Sequence, residues 1–298
     1  MPDHKIILSA DSTCDLGEEL KARYHVHYYP FHIILEEKDY QDNVDITVNE
    51  IFAAYHHHKA LPRTAAINMG EYIDYFQGWV DQGWDVIHLN LGGAISSAHK
   101  NCLLAAEELA RSGAPGRVYP IDSFSLSTGI ALQVIDAGDM IAAGLPAGEI
   151  VQRLQDNRSH IHASFILDTL DFMRAGGRCS TVAAVSANLL SLKPCIEVDN
   201  TNGSMHVGKK YRGSLQKVLG AYVKDKLAQY EDVKRDHIFI TYSTISPELE
   251  QYVRETIQSL MEFGEIHTTR ASCTIASHCG PNTLGILFET NHSSGRHI

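Results

Sequence analysis

The chain reads as an α/β protein of two domains: an N-terminal α/β/α domain on a parallel sheet over residues 1–160, and a C-terminal two-layer α/β domain with a mixed sheet over 161–298. Three observations predict this. The 298 residues are about twice the usual length of one domain. Through the first half, short β-branched apolar runs alternate with stretches of helical period, the pattern of βα units on a parallel sheet covered on both faces. After residue 157 the strands shorten and a hairpin signal enters, which sets the boundary near 160.

Each element follows in order. Ile6-Ile7-Leu8 centres a strand over 5–10, and a helix over 18–24 leads to a strand over 27–35. Thr47 and Glu50 stand at capping-box spacing and open a helix over 47–58. A helix near 69–82, a strand over 85–91, a helix over 97–112, a strand over 117–121 and a helix over 127–143 continue the alternation. Gly144-Leu145-Pro146 ends that helix and a further one spans 147–157. In the second half, strands over 194–198 and 205–211 flank Asp199-Asn200-Thr201-Asn202-Gly203, whose Asn-Gly pair can adopt positive φ and close a hairpin. Helices over 214–230 and 247–263 interleave with strands over 237–242, 265–271 and 283–289, as in a sheet covered mainly on one face. Residues 291–298 read as a polar tail.

Composition narrows the function. Lys and Arg total 25 against 36 Asp and Glu, a formal charge of -11, so the summed field repels nucleic-acid phosphates and no nucleic-acid partner is expected. The first apolar stretch is too brief for a signal-peptide core or a spanning helix and no later segment reaches spanning length, which places the protein in the cytoplasm. Six cysteines are dispersed without a Cys-x-x-Cys pair and are expected as reduced thiols. Seventeen histidines include the run His56-His57-His58, but adjacent helical residues point apart and no His-Glu-x-x-His occurs, so no metal site is expected.

Several loops carry candidate chemistry. Gly203 to Lys210 has P-loop spacing, yet Lys210 stands where a Ser or Thr would ligate magnesium, and the segment reads as a hairpin strand. Leu91-Gly92-Gly93-Ala94-Ile95-Ser96-Ser97 joins a strand to a long helix, where backbone N–H groups and the helix dipole favour an anion; the plainer alternative is a tight turn with Ser96 capping the helix. Asp11-Ser12-Thr13-Cys14-Asp15 and Asp122-Ser123 follow two other strands, so three polar loops gather on one sheet edge, where α/β sheets bind ligands. That rim is rich in hydroxyls and poor in paired carboxylates, which suits holding a ligand better than acid–base chemistry. No Gly-x-Ser-x-Gly elbow occurs. Arg174-Ala175-Gly176-Gly177-Arg178 sits between two short helical stretches, and it, Arg212-Gly213 and Ser277-His278-Cys279-Gly280-Pro281 place cationic or titratable residues beside turn-forming glycine.

Taken in this order, the segments resemble the DegV family of fatty-acid-binding proteins, from the first strand to about residue 289. Asp11-Ser12-Thr13-Cys14-Asp15-Leu16 is similar to the family's Asp-Ser-Thr-x-Asp-Leu. Pro62-Arg63-Thr64 stands where the family has Pro-x-Thr-Ser-Gln-Pro, and Ile95-Ser96 stands in its Leu-Ser-Gly-Thr region. Asp122-Ser123 with Ser127 and Gly129, then Gly176-Gly177-Arg178, Arg212-Gly213 and His278-x-Gly280-Pro281 complete the series.

The resemblance implies a non-catalytic protein with an acyl chain buried in an apolar tunnel between or beside the two domains. Its carboxylate would be held by Thr64 and Ser96, with Gly92, Gly93 and Ser97 in the same loop around the head group. No cofactor and no metal are implied. Some family members present the fatty acid to a separate ATP-dependent fatty acid kinase, and Arg212 and His278 occupy the motifs that matter there. This chain departs from the pattern where Ala65-Ala66-Ile67-Asn68 replaces Ser-Gln-Pro-Ser, Gly92-Gly93 a Ser pair and Ser97-Ala98 Gly-Thr. Those changes shift the grip toward backbone N–H groups or toward a different head. The alternative is an enzyme, either an esterase using Ser96 or Ser123 with His278, or a relative of the dihydroxyacetone kinases. It requires a serine beside a histidine that a carboxylate orients, or a nucleotide site.

Overall fold

The computed structural model describes residues 5–181 and 192–292, so the expected tail beyond 292 and the first four residues lie outside the described residues. In chain order the elements are β1 (Ile6–Asp11), α1 (Glu18–Arg23), β2 (His27–Tyr29), β3 (His32–Leu35), β4 (Lys38–Gln41), α2 (Val48–His58), β5 (Arg63–Ala65), α3 (Met69–Val80), β6 (Asp85–Asn90), α4 (Ala98–Arg111), β7 (Val118–Asp122), α5 (Thr128–Ala142) and α6 (Ala147–Asn157). There follow β8 (Ile161–Ile166), α7 (Asp171–Gly176), β9 (Leu192–Val198), β10 (Met205–Arg212), α8 (Leu215–Leu227), β11 (Val233–Tyr242), α9 (Pro247–Leu260), β12 (Glu265–Arg270), α10 (Cys273–Cys279) and β13 (Leu284–Thr290).

Strands β2-β1-β6-β7 form an all-parallel sheet in that order. The order β10-β9-β8-β13-β11-β12 makes a mixed sheet, parallel at β11 with β12 and antiparallel elsewhere. Helix α5 joins the two layers: it touches β1 and β6 on one side and β8, β11 and β13 on the other. Its residues from Thr128 to Ile135 are buried without a break, as a helix enclosed by protein on all sides requires.

A third, antiparallel sheet of order β4-β3-β5 departs from the expected single strand over 27–35. Pro30 stands between β2 and β3 and offers no N–H to either ladder, so the chain leaves the parallel sheet there and starts a new one. The β3–β4 turn is made by Glu36 and Glu37 at φ 49° and 67°, left-handed positions that usually call for Asn or Gly. This small sheet and α2 pack Ile33, Leu35 and Ile51 against Phe172 of α7 and Cys273 and Ala276 of α10, which brings β5 beside α10. The capping box of Thr47 and Glu50 forms as the spacing predicts. Gly203, at φ 79°, closes the β9–β10 turn and the lysines after it lie in strand β10, so the P-loop-like run is part of a hairpin.

Candidate functional site

Two carboxylates shape the loop after β6. Asp11, wholly buried at the end of β1, accepts the Leu91 N–H at 2.8 Å and the Tyr72 hydroxyl at 2.6 Å. Asp122, at the end of β7, accepts the N–H groups of Gly93 at 2.9 Å and Phe124 at 3.1 Å. A Cβ on Gly93 would sit 2.6 Å from an Asp122 carboxylate oxygen, and one on Gly92 3.0 Å from the Ser125 carbonyl oxygen, so Gly93 makes room for the Asp122 side chain and Gly92 lets the loop approach the backbone at Ser125. Ser96 Oγ accepts the Ala98 N–H at 3.1 Å and so satisfies an orphan donor of α4, leaving its own proton free for another partner.

Two further carboxylates fix α10. Asp15 accepts the Ser272 N–H at 2.8 Å and the Ser127 hydroxyl at 2.6 Å, while Asp42 accepts the Cys273 N–H at 2.8 Å and the Ser12 hydroxyl at 2.7 Å. Burial outweighs these bonds and pushes Asp15 up to about 7 and Asp42 above its ordinary value. The helix they start presents Thr274, Ile275, His278 and Cys279 to one cavity, the spacing of a single helical face.

That cavity, of about 110 Å³, is lined by Thr64, Ser96, Ser97, Arg178 and His278 among its polar residues, with apolar walls that include Phe31, Leu126, Phe165 and Met173. Thr64 Oγ1 and His278 Nε2 are 2.8 Å apart. Burial, and then the charge of Arg178, lower the imidazole to about 4, so it is neutral at pH 7. Its Nδ1 is buried with no hydrogen-bond partner among the described residues, and a Cβ on Gly176 would lie 2.2 Å from it. Gly176 is therefore what makes room for the ring. A smaller cavity of about 20 Å³ shares Leu126, Phe165, Ile275 and Cys279 with the first, and continues past Ala271 and Leu287.

Of the residues expected from sequence, Thr64, Ser96, Ser97 and His278 line the cavity. Gly92 and Gly93 do not; they underpin the loop that carries Ser96. Arg212 is exposed at the end of the edge strand β10 and is not among the lining residues, whereas Arg178 is. The Gly176-Gly177-Arg178 motif was visible in the sequence as glycine beside arginine, but nothing there ranked it above Arg212-Gly213. Asp11 and Asp122, at the ends of β1 and β7, act from behind, their carboxylates accepting the Leu91 and Gly93 N–H groups of the loop that carries Ser96. No carboxylate meets His278 Nδ1 among the described residues, and Ser123 Oγ donates to the Ser125 carbonyl away from the cavity, so the orienting pair a serine hydrolase needs is not assembled there.

The family model described as uncharacterised protein, DegV family, matches residues 5–291. A DegV domain-containing protein of Clostridium perfringens is 26% identical over 95% of this chain and 98% of its own. The solved structure of a DegV family protein from Thermus thermophilus, described for its fatty acid binding, matches at 27% identity and TM-score 0.84, covering 96% of this chain and 99% of that one. A fatty acid binding DegV family protein from Streptococcus agalactiae shares the fold at 22% identity and TM-score 0.84, covering 97% and 99%.

Proposed function

From the premise that this chain belongs to the DegV family, we propose that it binds a long-chain fatty acid, with the carboxylate at Thr64, Ser96 and Arg178 and the acyl chain among Leu126, Phe165 and Ile275. The observation that carries the reading is the Thr64–His278 contact beside Ser96 and Arg178 in a cavity whose remaining walls include Leu126, Phe165 and Met173. It is supported by the fold shared with the fatty-acid-binding protein of Thermus thermophilus. Burying about fifteen carbons at ~0.8 kcal/mol per CH₂ yields roughly 12 kcal/mol before association costs, so the tail sets affinity and the head sets orientation. Thr64 can accept from a neutral His278 and donate its own proton to the carboxylate, and Arg178 adds a charge-assisted bond.

The proposal extends to a role without catalysis of its own, in which the protein presents the carboxylate to an ATP-dependent fatty acid kinase, and to a division of the chain into domains near residue 160 with the ligand between them. Denaturing extraction of purified protein followed by mass spectrometry tests the binding. A near-stoichiometric fatty acid is expected, and the pair Thr64→Val with Ser96→Ala should lower affinity while leaving the fold intact. A protein that carries no acid and takes none up sinks the reading; unchanged affinity in the double variant sinks the head-group assignment.

A further inference from the structure

His237 on β11 and Glu265 and His267 on β12 meet at the edge of the six-stranded sheet. The two strands are parallel with His237 opposite Glu265, and residues 265 and 267 share a face because strand side chains alternate, so all three point the same way. His237 Nδ1 lies 3.1 Å from His267 Nε2, and Glu265 Oε2 lies 3.8 Å from the same Nε2. One ligand atom from each falls within 4.8 Å of the others. Tetrahedral ligands at about 2.0–2.1 Å from an ion stand roughly 3.3–3.4 Å apart, so the two edges at His267 Nε2 are already near that length, and the third closes from within 4.8 Å.

Two facing imidazole nitrogens leave at least one lone pair directed into the cluster. Arg23 donates to both Glu265 oxygens, at 3.1 and 3.3 Å, and so fixes the carboxylate from the side of α1. An open cleft lined by His237, Glu265, Asp136, Asp139, Asp236 and Lys234 borders the cluster and gives an ion and its waters a way in. Lys234 is occupied by Asp136 and Glu289, so the remaining acidic residues leave the cleft attractive to a cation.

We propose that His237, His267 and Glu265 form a binding site for one first-row divalent transition ion of the zinc class, completed by water from the cleft. Two imidazoles and one carboxylate suit that class and not magnesium or calcium, which require oxygen ligands throughout. On binding, Arg23 keeps Oε1 while Oε2 turns to the ion. Because β12 is an edge strand, the ion staples it to β11. The site is separate from the acyl cavity: Thr241, which lines the smaller cavity, is about 13 Å further along β11 than His237.

Tag-free protein, stripped with chelator, is titrated with Co²⁺ and Zn²⁺ by calorimetry, with the visible absorption of Co²⁺ reporting its ligand set. One saturable equivalent is expected, together with a higher melting temperature in Zn²⁺. His237→Gln and His267→Gln should each weaken binding at least about tenfold and change the Co²⁺ spectrum. Glu265→Gln is the further check if either of them fails to fold. The triple variant His56→Ala, His57→Ala, His58→Ala should bind as the parent does. No saturable binding, or binding lost in the triple variant and kept in the two glutamine variants, overturns the proposal.

Discussion

At the scale of single residues, His278 depends on what stands beside each ring nitrogen. Gly176→Ala would place a methyl 2.2 Å from Nδ1, so the ring must swing away from Thr64. We expect a stability loss of about 1–3 kcal/mol from overpacking and an affinity loss of about fivefold from the broken hydrogen bond. The neighbour gives the control: Gly177 sits at φ 68° with nothing within 4 Å of an added Cβ, so Gly177→Ala should cost about 1–2 kcal/mol by backbone strain and leave binding unchanged. Denaturant midpoints and fatty-acid titrations on both variants separate the two effects. The arginines divide in the same way. Arg178→Gln removes a cation from the cavity wall and should weaken binding about fivefold, whereas Arg212→Gln, on the exposed end of β10, should not. Equal effects from both would place the carboxylate elsewhere.

At the scale of elements, α10 is held at its start by Asp15 and Asp42, and that makes its stability depend on pH. Asp15 titrates near 7 in the fold against an ordinary 3.8, so between those values the native state keeps a proton the unfolded chain has released. Its contribution to stability therefore falls as pH rises through that interval. His278 works in the opposite sense: the unfolded ring takes a proton near 6.5 that the native ring refuses until about 4, so its contribution falls as pH drops through that window. Asp15→Asn removes the first dependence and keeps the second. The variant should gain on the parent from pH 4 to 7.5 in urea midpoints, and a constant difference would show that Asp15 does not titrate there. The same helix shows where sequence reading stops. Helix α6 is legible from end to end because Gly144 and Pro146 mark its start and its apolar residues keep the helical period. Helix α10 has one local signal, Ser272, whose hydroxyl accepts the Ile275 N–H, but it runs on into Cys273-Thr274, poor helix formers, and distant carboxylates accept the N–H groups of Ser272 and Cys273. Strand β5 is three residues long, too short to display a period, and the Glu36-Glu37 turn carries none of the usual residues, so the sheet that presents Thr64 left no local signal.

At the scale of the whole molecule, the cavity draws its walls from both halves of the chain: Thr64, Leu91 and Ser96 from the first, Phe165, Ile275 and His278 from the second. A ligand there touches two layers at once, so it should stabilise the protein as a unit, and at a hundredfold excess over Kd the gain is about 2.7 kcal/mol. Delipidated protein is expected to melt lower and to recover on adding fatty acid. The direction of the tail follows from the four residues the two cavities share, since a chain that passes Leu126, Phe165, Ile275 and Cys279 ends beside Ala271 and Leu287. Ala271 is buried and lines only the smaller cavity, so Ala271→Leu fills the far end and leaves the head group alone. The added carbons displace about three methylenes, and at ~0.8 kcal/mol each the longest acids should lose about 2 kcal/mol of affinity. The mass spectrum of extracted acids should then move to shorter chains, and thermal stabilisation by the longest acids should shrink while that by shorter ones persists. An unchanged spectrum would mean that the tail leaves the first cavity by another wall.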